Sequence, residues 1–473
     1  MSQDKRSFGI IGLGNMGRNF ALNLADRGVP LGVYNRSGEK TEHFMRELAG
    51  DRDITAARTP AELVQSLDRP RTLLLIVSAG KPVDAVLGEL VLLLDPEDLV
   101  IDGGNSHFRD TDRRAGMLAE RSFLYLGMGI SGGESGARHG PSLMPGGDRE
   151  GYDRVADALA KAAAQVHGEP CVAYLGQGSA GHYVKMVHNG IEYAFMQLLS
   201  ESYDLLGRGL GLSAAAMQPI YQKWNQGPLS SYLLEITAAI LGEADPEAPG
   251  PLVDHISDRA SQKGTGRWTS DQALELQIPT PAIDLAVVMR NLSTHDTLRG
   301  RLAAGLGQAS PLDLDQAGLV ADLEDALRAG LILAFAQGMS LLWAASQSFG
   351  YHLDLETVSR IWRGGCIIRA ELLEKLRRAY KAAPDLESLL LDPELAQEVT
   401  AATPGLRRVV SAACLAGLPV PGLAASLAYL DALRSLRLPT NLVQAQRDYF
   451  GGHTYERSDR PGSFHHAWEE AAK

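Results

Sequence analysis

The stretch from residue 7 to residue 37 constrains this chain more than any other. A short apolar run at 7–11 leads into Gly12-Leu-Gly-Asn-Met-Gly17, which opens a helical pattern. In a strand–loop–helix context the first Gly permits a tight turn and the second lets backbone approach a pyrophosphate. The third allows close packing of helix on strand. The helix N-terminus then turns its partial positive charge toward the phosphates. Gly12, Leu13, Gly14, Asn15, Met16 and Gly17 are therefore candidate dinucleotide contacts. The second strand bears on which dinucleotide. NAD sites usually end it with a carboxylate for the ribose 2′-OH. Here it ends Val33-Tyr-Asn35-Arg36-Ser37, with no carboxylate before Glu39. Arg36 can pair with a 2′-phosphate while Asn35 and Ser37 hydrogen-bond, so NADP is the expected cofactor.

Further apolar, β-branched runs lie at 31–34, 72–77, 99–101 and 123–126, each bounded by Gly, Asp or Pro. Helical patterns fall between them around 18–27, 81–94 and 110–120. This alternation predicts an α/β, Rossmann-type doubly wound sheet over residues 1–178. The run at 171–175 is a candidate last strand, and Gly176-Gln-Gly-Ser-Ala-Gly181 reads as a hinge. From 179 to 437 strand signals nearly vanish and Ala/Leu-rich periodicity predicts a large all-α domain. A faint duplication runs through it. The stretch 196–206 is followed by Trp224-Asn-Gln-Gly227, and 339–347 by Trp362-Arg-Gly-Gly365. The apolar stretch 329–346 carries Gln337 and Ser340, so a buried helix is expected rather than a membrane span. Residues 438–473 are polar and aromatic with no helical stripe until the very end. They read as an extended C-terminal tail that needs another surface to order it.

Composition bounds the rest. A net charge of -12 argues against nucleic acid as partner, and the three scattered cysteines, Cys171, Cys366 and Cys414, suit a reducing compartment. With a strand beginning almost at the N-terminus, a cytoplasmic protein is expected. No Cys/His or carboxylate spacing suggests a metal.

The densest chemistry is Lys185-Met-Val-His188-Asn189-Gly-Ile-Glu192-Tyr193. On a helix, positions 185, 188, 189 and 192 share one face, which lines up an amine, an imidazole, an amide and a carboxylate. A solvated face rarely needs Asn and His between its charges, and this helix follows the expected hinge, so a cleft site is the favoured reading. Asp102-Gly-Gly-Asn105-Ser106 ends a strand where open sheets bind ligands, and the amides of Ser131-Gly132-Gly133 could hold an anion. Lys263, Thr265, Arg290, Arg447 and His453 are further basic or polar candidates.

Together these motifs, with Gln262-Lys263-Gly-Thr265-Gly, Gly365-Cys-Ile-Ile-Arg369 and Gln444-Ala-Gln-Arg447-Asp-Tyr-Phe-Gly-Gly-His453, resemble the 6-phosphogluconate dehydrogenases across nearly the whole chain. The resemblance implies an NADP-dependent, decarboxylating oxidoreductase of the pentose phosphate pathway. It makes Lys185 the general base and later acid, and Glu192 the second acid. Substrate contacts would fall on Asn105, Ser131, Gly132, Gly133, His188, Asn189, Tyr193, Lys263, Thr265 and Arg290. It also implies a homodimer whose tail hands Arg447 and His453 to the neighbouring subunit. Cofactor contacts would extend to Val77, Ser78, Ala79 and Asn105. The family often has Lys where Ser78 stands, with Lys81 just beyond, so a side-chain contact from this loop is in doubt. Two other readings stay open at this level. One is a 3-hydroxyacid dehydrogenase that oxidises without losing CO₂; the other is a silent NADP-binding scaffold.

Overall fold

The structure, a computed structural model, describes residues 6–307, 309–312 and 315–468. Seven strands form one sheet: β1 (Phe8–Ile11), β2 (Leu31–Tyr34), β3 (Ile54–Ala56), β4 (Thr72–Leu75), β5 (Leu99–Asp102), β6 (Leu124–Ser131) and β7 (Ser142–Gly147). Their order is β3-β2-β1-β4-β5-β6-β7, with every pair parallel except β6–β7. The strands read as continuous apolar runs because helices cover both faces. Ile10, Val33, Leu74 and Ile101 bury into one core cluster, and Ile11, Leu73, Leu75 and Val100 into the other. The chain order reverses between β1 and β4, which opens a crevice at the carboxyl ends of these neighbours.

Two strands of this sheet escaped the sequence reading. β3 has only three residues, and β7 carries Pro145, Gly146 and Gly147 in place of a β-branched run. The candidate strand at 171–175 makes only a single bridge, Val172 to Leu143, so the seventh place belongs to β7.

Beyond the sheet the 25-residue helix Ala180–Asp204 packs on β6 and β7 at its start and on the 34-residue helix Gln316–Phe349 further along. The latter is long and apolar enough to cross a membrane, but 89% of its most apolar window is buried in the protein, much of it against Pro393–Ala416. Gly338 and Gly330 let the two long helices approach, since a Cβ there would meet Ile191 and Leu198 at 2.4 and 2.8 Å. The faint duplication has a structural counterpart. Each long helix leads to a shorter one ending at a fully buried tryptophan, Trp224 or Trp362. The segments after these tryptophans pair antiparallel through Ser231 and Ala370.

The contacts divide the chain into two compact units, one ending at Ser426 and one beginning at Leu427. Within the second, the absence of a helical stripe is corrected: Thr440–Gly451 is a helix, followed by a two-stranded pair, Tyr455–Glu456 with Ser463–Phe464. Its apolar residues Leu442, Val443, Tyr449 and Phe450 do share one face, but all four are exposed. The intervening Gln, Ala and Arg residues hid this stripe.

Candidate active site

The glycine loop follows from close approach. Gly12 sits at φ 105°, where its missing Cβ would lie 2.3 Å from the Ile76 carbonyl, and a Cβ on Gly17 would lie 1.9 Å from the Gly12 carbonyl oxygen. A Cβ on Gly14, by contrast, would meet nothing within 4 Å. The helix Asn15–Asp26 starts with no side-chain cap and no acidic residue in its first turn, so its amide groups remain available to an anion. The Asn35 amide is engaged on both ends: it accepts from the Leu13 N–H at 3.0 Å and donates to the Ser37 carbonyl at 3.1 Å. It thus ties the glycine loop to the end of β2. Arg36 and Ser37 beside it are exposed, and Arg36 has no carboxylate partner among the described residues.

A cavity of about 750 Å³ runs from this loop into the helical part of the first unit. Gly14, Asn15, Met16 and Gly17 line one end with Val77, Ser78, Ala79 and Asn105; Asn189, Glu192, Tyr193, Lys263, Thr265 and Arg290 line the other. Gly12 and Leu13 are buried behind the loop. Asn35, Arg36 and Ser37 are not among the lining residues.

The floor between the two ends rests on a buried polar network. Arg114 and Asp102 are both fully buried and pair at 3.1 Å. Asp102 also accepts from the Gly104 N–H, the Ser106 hydroxyl and the Tyr125 hydroxyl. Arg114 reaches further, to Ser106, Asp84 and the Gly80 carbonyl. Asn105, at φ 53°, uses its side chain to pair with both backbone groups of Ile130, at 3.0 and 3.2 Å. The ends of β4, β5 and β6 are thereby cross-tied beneath the cavity.

Lys185 lies beside this floor. Its Nζ donates to Asn189 Oδ1 at 2.7 Å and Ser131 Oγ at 3.0 Å, and lies 3.2 Å from His188 Nδ1. His188 Nε2 is 3.2 Å from Ser131 Oγ, and Asn189 donates onward to Thr265 at 3.1 Å. Burial pushes the Lys185 amine down from its ordinary 10.5 to about 8, against Glu192 and Cys366, which favour its charge. Burial also raises the Glu192 carboxyl above 4.5, opposed by Lys185 and Arg290. The same desolvation, with Lys185 as like charge, drives His188 far below 6.5, so its ring is neutral. The acceptors Ser131 and Asn189 mean that its charged form, though desolvated, keeps hydrogen bonds. Both protonation states are accessible.

The depth of Lys185 has a packing cause that the sequence reading missed. The start of its helix presses on β6 and β7 through glycines. A Cβ on Gly129 would lie 2.4 Å from the Lys185 Cβ, and one on Gly181 would lie 2.2 Å from the Met144 carbonyl. The alternate glycines of Gly127-Met-Gly129 were the available signal. Trp268 also lines the cavity unannounced, although it stands one helical turn after Thr265, and Gln262 of the motif before it joins the lining. Tyr193 lies under Arg290, whose guanidinium is 3.4 Å from the ring centroid. Gly132 and Gly133 adopt positive φ at the turn after β6, Gly132 tight against the Gly365 carbonyl and Gly133 with open space around it. Arg447 and His453 belong to the second unit, where both are exposed.

Residues 7–176 match the family model of the NAD binding domain of 6-phosphogluconate dehydrogenase, and residues 181–468 match that of its C-terminal domain. The chain belongs to the 6-phosphogluconate dehydrogenase family. Relatives within this family include the decarboxylating enzyme of Synechococcus elongatus, 50% identical over 467 residues, covering 98% of this chain and 99% of the relative. Decarboxylating enzyme 2 of Spinacia oleracea, a chloroplastic protein, is 46% identical and covers 98% and 88%. The 6-phosphogluconate dehydrogenase of Plasmodium falciparum, solved in apo form and in complexes with NADP+ and with 6-phosphogluconate, superimposes with a TM-score of 0.95. It is 42% identical and covers 98% of this chain and 100% of that one.

Proposed function

We propose that this chain oxidises 6-phosphogluconate with NADP and decarboxylates the product to ribulose 5-phosphate. The observation that carries the chemistry is a buried lysine amine, its pKa lowered to about 8, on the helical face that brings Asn189 and Glu192, whose carboxyl is raised by burial, to the cavity. The residues present fit the dinucleotide. The glycine loop leaves open space at Gly14 for the pyrophosphate, and Arg36 offers an uncompensated cation at the end of β2 for the 2′-phosphate. When bound, the nicotinamide supplies the acceptor for the hydride that leaves C3 of the sugar acid.

Neutral Lys185 takes the proton of the C3 hydroxyl as that hydride departs. The carboxylate of the resulting 3-keto acid is β to a carbonyl, so loss of CO₂ moves electrons onto the C3 oxygen. Lys185, now an ammonium, stabilises the developing enolate, and Asn189 and His188 orient it. Lys185 passes its proton to the enolate oxygen to give the enediol, then takes it back as Glu192 donates a proton to C1, which leaves the ketone of ribulose 5-phosphate. Arg290, Lys263 and Tyr193 are the groups we assign to the distal phosphate, and Ser131, Gly132, Gly133, Asn105 and Thr265 to the sugar-acid chain. Neither the non-decarboxylating nor the silent reading gains support, since relatives matched along nearly their full length are named as decarboxylating enzymes.

We further propose a division at 1–178, 179–437 and 438–473, a cytoplasmic enzyme, and a homodimer in which the tail's Arg447 and His453 serve the neighbouring subunit. Unpartnered apolar surface supports the dimer. The helix Asp296–Leu306 buries none of its residues and exposes Leu298, Leu302 and Leu306 along one face. The exposed Leu442, Val443, Tyr449 and Phe450 present a second such face on the tail helix.

The test is a coupled measurement of NADPH formation and released CO₂. One CO₂ per NADPH is expected with 6-phosphogluconate, whereas NADPH without CO₂ would leave only an oxidation. In the same assay Arg36→Ala should lower kcat/KM for NADP about 10- to 100-fold, the value of one or two charge-assisted bonds, and barely change that for NAD. An equal loss with both cofactors would remove Arg36 from the 2′-phosphate.

Glu192→Gln should reduce turnover about 100-fold, at the low end for a general acid. Its pH profile carries a further sign. The Glu192 carboxylate raises the Lys185 pKa, so its removal should move the rising limb of kcat/KM from near 8 to lower pH. A shift to higher pH would contradict this coupling.

A further inference from the structure

Asp448 is the only residue of the helix Thr440–Gly451 that is buried, in a segment that otherwise exposes its apolar side chains. Four donors converge on its carboxylate. Oδ1 accepts from the Thr454 N–H at 3.0 Å and faces His465 Nδ1 at 2.8 Å. Oδ2 accepts from the His466 N–H at 3.1 Å and the Trp468 indole at 2.8 Å. These bonds hold the carboxyl well below the usual carboxylate range, so it stays charged at any working pH. A single side chain thus folds the stretch 454–468 back onto the end of the helix. A second clamp lies beside it. Gln444 accepts from the Arg447 guanidinium at 3.1 Å and donates to the Thr454 carbonyl at 2.6 Å. Thr454, held at φ 60° between the two clamps, carries the strain of the turn. His453 precedes it and packs edge-on to Phe450.

Asp448 faces inward while its neighbour Arg447 faces out with no carboxylate partner among the described residues. A flexible tail carrying Arg447 and His453 would lose much of its binding energy to ordering them. We infer that Asp448, assisted by Gln444, is a positioning residue that holds Arg447 and His453 in the geometry in which they bind the anionic substrate. This rests on the reading of the tail given above and goes beyond it, because neither Asp448 nor Gln444 touches substrate in that reading.

The test uses the full-length enzyme with 6-phosphogluconate. Asp448→Asn keeps the size of the side chain, but in either rotation its amide points N–H at a backbone N–H, of Thr454 or of His466. Its KM for 6-phosphogluconate should rise about 10- to 100-fold, as for loss of one or two charge-assisted bonds, with kcat and the KM for NADP within about twofold and the assembly mass unchanged. Gln444→Ala, which leaves the Asp448 hub intact, should raise the same KM by a smaller factor and serves if Asp448→Asn does not fold. Arg447→Ala is the reference. If it raises KM while Asp448→Asn and Gln444→Ala do not, the positioning role is wrong and the tail reading stands. If Arg447→Ala leaves KM unchanged, the tail reading fails and takes this inference with it.

Discussion

Lys185→Met is expected to abolish turnover, by at least about 10⁴-fold, while NADP binds with near-normal affinity. General acid–base catalysis contributes about 10² to 10⁴, and electrostatic stabilisation of an oxyanion about 10² to 10³ more. In the proposed mechanism one amine serves both, so the losses compound. NADP binding should survive because the glycine loop and Arg36 follow β1 and β2, whereas the amine sits beside the end of β6. The same variant tests whether the pocket disfavours the lysine charge. Holding the amine at about 8 rather than 10.5 corresponds to about 3 kcal/mol of destabilisation while the lysine is charged. That cost is fully present below about pH 8, because the unfolded chain retains the proton up to about 10.5. It disappears as pH rises through that interval. Lys185→Met should therefore be most favoured in stability, relative to the parent, below pH 8, and its advantage should shrink toward pH 10.5. A difference independent of pH in denaturant titrations would mean that the folded amine titrates normally. Near-normal turnover would rule out the catalytic assignment outright.

Arg114→Met is expected to destabilise the protein by about 3–5 kcal/mol, the effect of leaving one partner of a buried ion pair alone. Asp102 would keep its hydroxyl donors and the Gly104 N–H but would lose its cation, in a place where neither partner has any exposed surface. The loss should also be felt at the cavity, since the same guanidinium holds the Gly80 carbonyl at the end of the Val77–Gly80 loop. A raised KM for NADP should accompany the lower unfolding midpoint. A change in stability below about 1 kcal/mol would show that water or a neighbouring side chain satisfies Asp102 instead.

Much of this architecture is legible in the letters because its signals are local. Gly12–Gly17 needs only its two flanking elements, and Lys185, His188, Asn189 and Glu192 need only the helical repeat to share a face. The elements that were missed depend on partners remote in sequence. Pro145, Gly146 and Gly147 look unlike a strand, yet β7 forms because the lysine helix must lie close against it, and glycines are the residues that permit this. Trp268 reaches the cavity only because its helix crosses Ala180–Asp204, where Gly190 admits Thr269. The apolar stripe of the tail helix faces no core of its own, so a reading that looks for buried periodicity passes over it. Asn105 illustrates a subtler limit: its residue type says nothing of the bonds by which its amide also fixes the Ile130 backbone while it lines the cavity.

The seam between the lysine helix and the sheet has a mechanical consequence. With Gly129, Gly146 and Gly181 leaving less than a methyl group's clearance, the helix can neither slide nor roll on β6 and β7 without its backbone striking theirs. Lys185 and the β6–β7 platform beneath it move as a single stiff body. Any widening of the cavity therefore falls to its peripheral walls, such as the stretch from Ser261 to Trp268, which borders the same space without being wedged into the sheet.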